Sequence, residues 1–231
     1  SKEAEEKDAY VELLSPEQMN GYSQADCLKI GIASQVDGII LEADGSKEEQ
    51  HLINEALKEK IPVVTVMTDD TATGRISFVG LNSYQTGSAY TEQISGMLKA
   101  QGTTSVMFLS TSSSKTQETN LVYSQVKKEL EAQKKTGQSV DLTGYCVDSS
   151  ADFDTEEFVR DMLPDVLVCM DEVVTECVYQ ALIDYNQVGN VKVIGFYYSD
   201  VILDAIDKEI ISSAIALDMD EIGRYSVNAL D

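Results

Sequence analysis

Short apolar runs alternate with longer amphipathic stretches along almost the whole chain. That alternation predicts repeated strand–helix units and therefore an α/β protein with parallel sheets flanked by helices. Strands are predicted at Asp8–Leu14, Val36–Ala43 and Ile61–Met67, where β-branched residues lie between turn formers and continuous apolarity suits burial on both faces. In the helix between the last two, Leu52, Ile53, Ala56 and Leu57 form one stripe; Lys47, Glu48, Glu55 and Lys58 face away, with His51 on the polar side. A shorter strand, Ile76–Leu81, leads into a long helix over 84–100. Ser105–Ser110 then opens a second series, with strands at Val140–Val147, Val166–Met170, Val191–Tyr197 and Ile211–Leu217. Its helices are predicted to begin near Gln117, Asp154, Asp171 and Asp200, and a last helix near Asp220. The second series reads as a second domain, similar to the first in architecture but without a sequence repeat.

Open parallel sheets bind ligands beyond the carboxyl ends of their strands, so function is sought just after each apolar run. Those positions are Glu42-Ala43-Asp44, Met67-Thr68-Asp69-Asp70, Ser110 to Ser114, Asp148 to Asp154, Met170-Asp171, Tyr197-Tyr198 and Leu217-Asp218. Many strand-end acids are ordinary helix N-caps, and Asp154, Asp171, Asp200 and Asp220 all fit that structural role. Met67, Phe153, Met170 and Tyr197 add apolar surface to the set, which is the make-up of a small-molecule cleft.

Composition narrows the functional classes. Forty Asp and Glu against 17 Lys and Arg give a formal net charge of −23, which repels phosphate backbones and argues against nucleic acid as a partner. Cys27, Cys146, Cys169 and Cys177 show no CxxC spacing and read as free thiols. There is no GxSxG, GxxxxGK[ST], strand-following GxGxxG, HExxH or EF-hand loop, and the single histidine rules out a multi-histidine metal site. The adjacent acids Asp69 and Asp70 would point apart on an extended loop, so neither metal nor cofactor is expected. Nothing in the sequence favours a paired-carboxylate hydrolase, and no catalytic residue is assigned.

The segment VDGIILEADGSKEEQHLINEALKEKIPVVTVMTDD resembles the type I periplasmic binding proteins, notably the branch serving ribose-type sugar transporters. FVGLNSYQTG (Phe78–Gly87) looks like that family's crossover, SADFD (Ser150–Asp154) like its third-strand loop, KVIGFYYSD (Lys192–Asp200) like its "VVGFD" strand, and DMDEIGRYSVNAL (Asp218–Leu230) like its closing helix. The resemblance covers nearly the whole chain and implies two similar lobes, residues 1–81 with 218–231 and residues 82–217, that close around a small molecule without performing chemistry on it. It also implies that the family's first strand precedes this sequence and its last crossover strand follows it, so the sequence is read as an excerpt of a longer chain.

Carried over position by position, the resemblance implies a ligand set of Met67, Thr68, Asp69, Phe153, Met170, Asp171, Tyr197 and Leu217. The polar groups of the sugar binders are largely replaced: their Asp-Arg by Met67-Thr68, an Asn by Met170, an Asp by Tyr197 and a Gln by Leu217. Buried hydroxyls without partners cost about 1–3 kcal/mol each, so the ligand is expected to be less hydroxylated than a standard sugar, or the site degenerate. The resemblance further implies an extracytoplasmic, monomeric solute-binding protein, periplasmic or lipid-anchored, serving the permease of an ABC transporter. Two alternatives share the fold: the sensing domain of a membrane signalling protein partnered with a sensor kinase, and the effector core of a LacI-type regulator, which would need an N-terminal helix-turn-helix.

Overall fold

The computed structural model describes residues 2–16, 18–80, 82–111, 117–147 and 163–231. The chain folds into two compact units, residues 1–81 with 218–231 and residues 82–217.

The first unit carries α1 (Lys2–Glu6), α2 (Gln24–Ala33), β1 (Ile39–Leu41), α3 (Lys47–Lys58), β2 (Val63–Val66), β3 (Ser77–Val79) and, after the chain returns, α8 (Met219–Asn228). Its strands form a parallel sheet in the order β1-β2-β3, with Ile39 opposite Val63 and Val64 opposite Ser77. The stripe predicted on α3 is the buried one: Leu52, Ile53 and Ala56 pack with Leu28 of α2 and with Ile61 and Val63. Helix starts are set locally. Ser23 caps α2 in a capping box with Asp26, and the Ser46 hydroxyl accepts the Glu49 N–H at 3.1 Å at the start of α3. Just after α8, Leu230 lies so near Gly38 that a Cβ on Gly38 would come within 2.8 Å of its methyl groups, so glycine lets this end of the chain close on the sheet.

One predicted strand is corrected. Residues 8–14 form no strand; Tyr10 is 88% exposed, and Val11 and Leu13 are exposed as well. Residues of this type suit a pleated, half-buried surface, but a strand exists only where a neighbouring edge pairs its N–H and C=O groups. None of β1 to β3 pairs with this segment.

The second unit carries α4 (Ser83–Met97), β4 (Gly102–Thr111), α5 (Gln117–Ala132), β5 (Gln138–Val147), β6 (Val166–Cys169), α6 (Glu172–Asp184), β7 (Lys192–Phe196), α7 (Asp200–Asp207) and β8 (Ser213–Ile215). All five strands are parallel, in the order β5-β4-β6-β7-β8. The continuous apolar runs follow from burial on both faces. Val106, Phe108, Val166, Val168 and Ile194 pack under α4 and α5 with Tyr90, Ile94, Val122, Val126 and Leu130. The alternate residues Met107, Leu109, Leu167, Cys169 and Val193 pack under α6 and α7 with Val174, Val178, Ala181, Leu182 and Ala205. The helix predicted near Asp154 lies outside the described residues.

Candidate functional site

The described loops after β1, β2 and β6 are held by polar contacts within their own units. After β1, Glu49 is almost fully buried and reaches back from α3: its carboxylate accepts the Asp44 N–H at 2.9 Å and the Gln24 side chain at 3.0 Å. Gln24 also donates to the Glu42 carbonyl at 2.5 Å, so the loop after β1 is tied to two helices. Burial pushes the Glu49 carboxyl above its ordinary range.

After β2 the chain turns sharply. Met67 has φ of +59°, its N–H donates to the Val79 carbonyl at 3.1 Å, and the Thr68 N–H donates to Val66 at 2.6 Å. Both side chains are half-buried, and the Thr68 hydroxyl lies 3.4 Å from the Glu42 carboxylate. Asp69 is gripped by the Arg75 guanidinium, Nε to Oδ1 and Nη2 to Oδ2 at 2.5 Å, while the Thr65 hydroxyl donates to Oδ1 at 2.9 Å. The Arg75 guanidinium holds the Asp69 carboxyl below the usual carboxylate range. Asp70 accepts the Gln50 amide at 2.9 Å and the Ala72 N–H at 2.8 Å. The two acids thus serve separate internal contacts, and no group of three or more potential metal ligands occurs among the described residues.

In the second unit, β4 and β6 end side by side. The Met170 N–H extends their ladder to the Leu109 carbonyl at 2.9 Å, and the buried Tyr90 hydroxyl on α4 donates to the Cys169 carbonyl at 3.1 Å. Asp171 caps α6: one carboxylate oxygen accepts the Val174 N–H at 2.8 Å and the other the Thr111 N–H at 2.9 Å. Of the other acids suited to capping, Asp200 and Asp220 stand one or two places inside their helices, and Ser199 and Asp218 are the caps. Tyr197 follows β7 with φ of +77°, half-buried, its ring stacked on exposed Tyr198 at 4.9 Å. Leu217 is buried. Phe153 lies outside the described residues, as does the SADFD loop.

The described candidates therefore do sit at strand ends, with Met67, Thr68 and Asp69 in the first unit and Met170, Asp171, Tyr197 and Leu217 in the second. Sequence reasoning missed Arg75, Gln24 and Glu49. Arg75 follows Asp69 by six residues in a loop, a spacing that carries no helix or strand periodicity to signal the pairing.

Two parallel α/β units with polar and apolar side chains gathered at their strand ends define a class, that of α/β ligand-binding domains. The chain belongs to the periplasmic binding protein domain family, which matches it over residues 1–231 and is a family of binding proteins rather than enzymes. A search of curated proteins gave no match. Solved structures of the same fold include AraP, an arabinose-binding protein from Geobacillus stearothermophilus, at 20% identity over 99% of this chain and 78% of that one, with a TM-score of 0.81. An ABC transporter solute-binding protein from Burkholderia graminis, in complex with D-arabinose, is similar at 19% identity over 99% and 80%, with a TM-score of 0.78. The XylFII–LytSN complex matches at 20% identity over 99% and 83%, with a TM-score of 0.74.

Proposed function

We propose that this chain is an extracytoplasmic solute-binding protein whose two compact units are its two lobes. Its ligand is a sugar-like ring with fewer free hydroxyls than a standard hexose, delivered to the permease of an ABC transporter. The observation that carries the reading is the internal use of the acids at the strand ends. Asp69 is held by Arg75 and Thr65, and Asp171 by Thr111 and Val174. The remaining described candidates are Met67, Thr68, Met170, Tyr197 and Leu217, which offer one hydroxyl and one phenol for hydrogen bonding. A ligand with many hydroxyls would bury several without partners, at about 1–3 kcal/mol each. Support for a sugar-like ring comes from AraP and the D-arabinose complex, whose fold this chain shares.

A thermal-shift and calorimetric screen of pentoses, hexoses, deoxysugars and alkyl glycosides tests the reading. Stabilisation by deoxy or alkylated rings, with weak response to the parent hexoses, is the expected result. Strong stabilisation by an unmodified hexose would overturn it. A second reading is favoured by the XylFII–LytSN complex, in which a protein of this fold is assembled with LytSN. On that reading the partner is a membrane sensor kinase, and ligand-dependent association with a sensor's extracytoplasmic domain, rather than stimulation of permease ATPase activity, would establish it.

A further inference from the structure

Glu49 on α3 is 1% exposed, and burial disfavours a charged carboxylate unless partners compensate. Its partners come from one loop and one neighbouring helix. The carboxylate accepts the N–H groups of Asp44, at 2.9 Å, and Gly45, and the Gln24 amide of α2 at 3.0 Å. Gln24 also donates to the Glu42 carbonyl at 2.5 Å. Gly45, with φ of +70°, supplies the left-handed turn that aims consecutive N–H groups at one anion. Residues 42–46, the strand-end loop of β1, are thus folded around a single carboxyl group. The charges on the surrounding elements do not neutralise it. The Asp44 carboxylate lies beside it, and both its negative charge and a hydrogen bond between the two side chains favour a protonated Glu49. On α2, Lys29 is engaged by Asp26 and Glu48 at 3.5 and 2.8 Å. The Glu42 carboxylate meets the Thr68 hydroxyl, and in the loop after β2 Arg75 holds Asp69 while Asp70 accepts from Gln50. Lys47 and His51 of α3 are exposed.

We propose that Glu49 and Asp44 form a pH-sensitive latch on the loop after β1, closed while one proton is held between the two carboxyl groups and released when that proton leaves. Without the proton two negative charges oppose each other in a partly dry site. A carboxyl whose folded-state value lies above its unfolded one stabilises the fold below the unfolded value and loses that contribution as pH rises through the folded one. The loop is therefore firmest in mild acid and loosens as Glu49 ionises. The inference rests on the function proposed above only in reading residues 42–46 as ligand-facing, so that grip on the ligand follows the acidity of the medium; the latch itself is tested without a ligand.

The test is amide hydrogen exchange of the 231-residue chain, followed by NMR between about pH 4.5 and 8 and corrected for intrinsic exchange, with the Glu49 carboxyl titrated through its own carbon signal. Protection of the Asp44 and Gly45 amides should be highest at the acid end. It should fall as Glu49 loses its proton, by about tenfold for each pH unit that separates the Glu49 value in the closed loop from that in the open one. Glu49→Gln keeps a donor for Asp44 without a titration, so its protection should stay at the acid level of wild type throughout. Asp44→Asn removes the opposing charge and should move the Glu49 midpoint, and the fall in protection with it, to lower pH. Flat protection in wild type across the Glu49 titration overturns the latch. So does a fall that persists unchanged in Glu49→Gln, or protection in that variant below the acid level of wild type at every pH. If Glu49→Gln does not fold, Asp44→Asn decides: a fall at the wild-type midpoint overturns the proposal, and a shift to lower pH supports it. Failure of the ligand screen would overturn the binding function and leave each of these outcomes as it stands.

Discussion

Replacing Arg75 with Met tests whether Asp69 is a structural group of its own unit or a ligand contact. The structure gives the expected size of the effect. Arg75 makes two hydrogen bonds to the Asp69 carboxylate, and the two side chains retain 21% and 14% of their exposure. A hydrogen bond to a charged group contributes about 1.5–3 kcal/mol, and breaking a fully buried pair costs about 3–5 kcal/mol. Residual solvent access screens the charge left behind, so Arg75→Met should cost about 2 kcal/mol. If the 231 residues unfold as one cooperative unit, that lowers the melting temperature by about 4–8 °C, and by more if the first unit unfolds alone.

The pH dependence has a definite sign. Arg75 depresses the folded-state pKa of Asp69 below its unfolded value of about 3.9. The pair's contribution is therefore complete above the unfolded pKa and is lost as pH falls through the folded one. Urea unfolding of wild type and variant should differ most near neutral pH and converge in strong acid. A double-mutant cycle with Asp69→Asn should return a coupling of at least about 1 kcal/mol. A melting temperature for Arg75→Met within about 1 °C of wild type would refute the reasoning. So would an Asp69→Asn variant of unchanged stability that had lost ligand binding, because Asp69 would then act on the ligand.

Three further outcomes are expected. Gly195→Ala places a methyl 2.7 Å from the Thr175 side chain, whose hydroxyl accepts the Phe196 N–H at 3.0 Å, so overpacking under α6 should cost about 1–3 kcal/mol in chemical denaturation; a neutral result would show that Thr175 gives way freely. Burial raises the folded-state pKa of Glu49, so its stability contribution declines as pH rises from its unfolded pKa of about 4.3 through the folded value. Glu49→Gln should remove that part of the slope, and an identical pH profile for wild type and variant would contradict it. Exposed Cys146 should react readily with a thiol reagent in the native state, whereas buried Cys27 and Cys169 should react only on unfolding. Burial also pushes the Cys169 thiol up, which adds to its inertness, and rapid native labelling of Cys169 would contradict its place under α6.

Sequence and structure differ in what each decides, and particular residues show why. The apolar runs at Val106–Leu109, Val166–Cys169 and Val193–Ile194 were legible as buried parallel strands, because burial on both faces demands apolarity at every position. The stripe Leu52-Ile53-Ala56 was legible because a helix repeats its buried face every 3.6 residues. The same local logic misplaced a strand at residues 8–14, where composition was suitable and a pairing edge was what counted. The strand-end positions of the candidate site were also legible, since they follow from where apolar runs stop. The partners of those positions were not.

Local composition and periodicity by themselves determined the strand–helix alternation, the helix faces and the strand-end positions, because each depends on neighbours within a few residues. Only the tertiary structure decided that Asp69 meets Arg75, that Glu49 and Gln24 lock the loop after β1, and that Met67 and Tyr197 share a left-handed turn. Those facts depend on backbone angles and on groups brought together by folding, for which a one-dimensional pattern of polar and apolar residues carries no record.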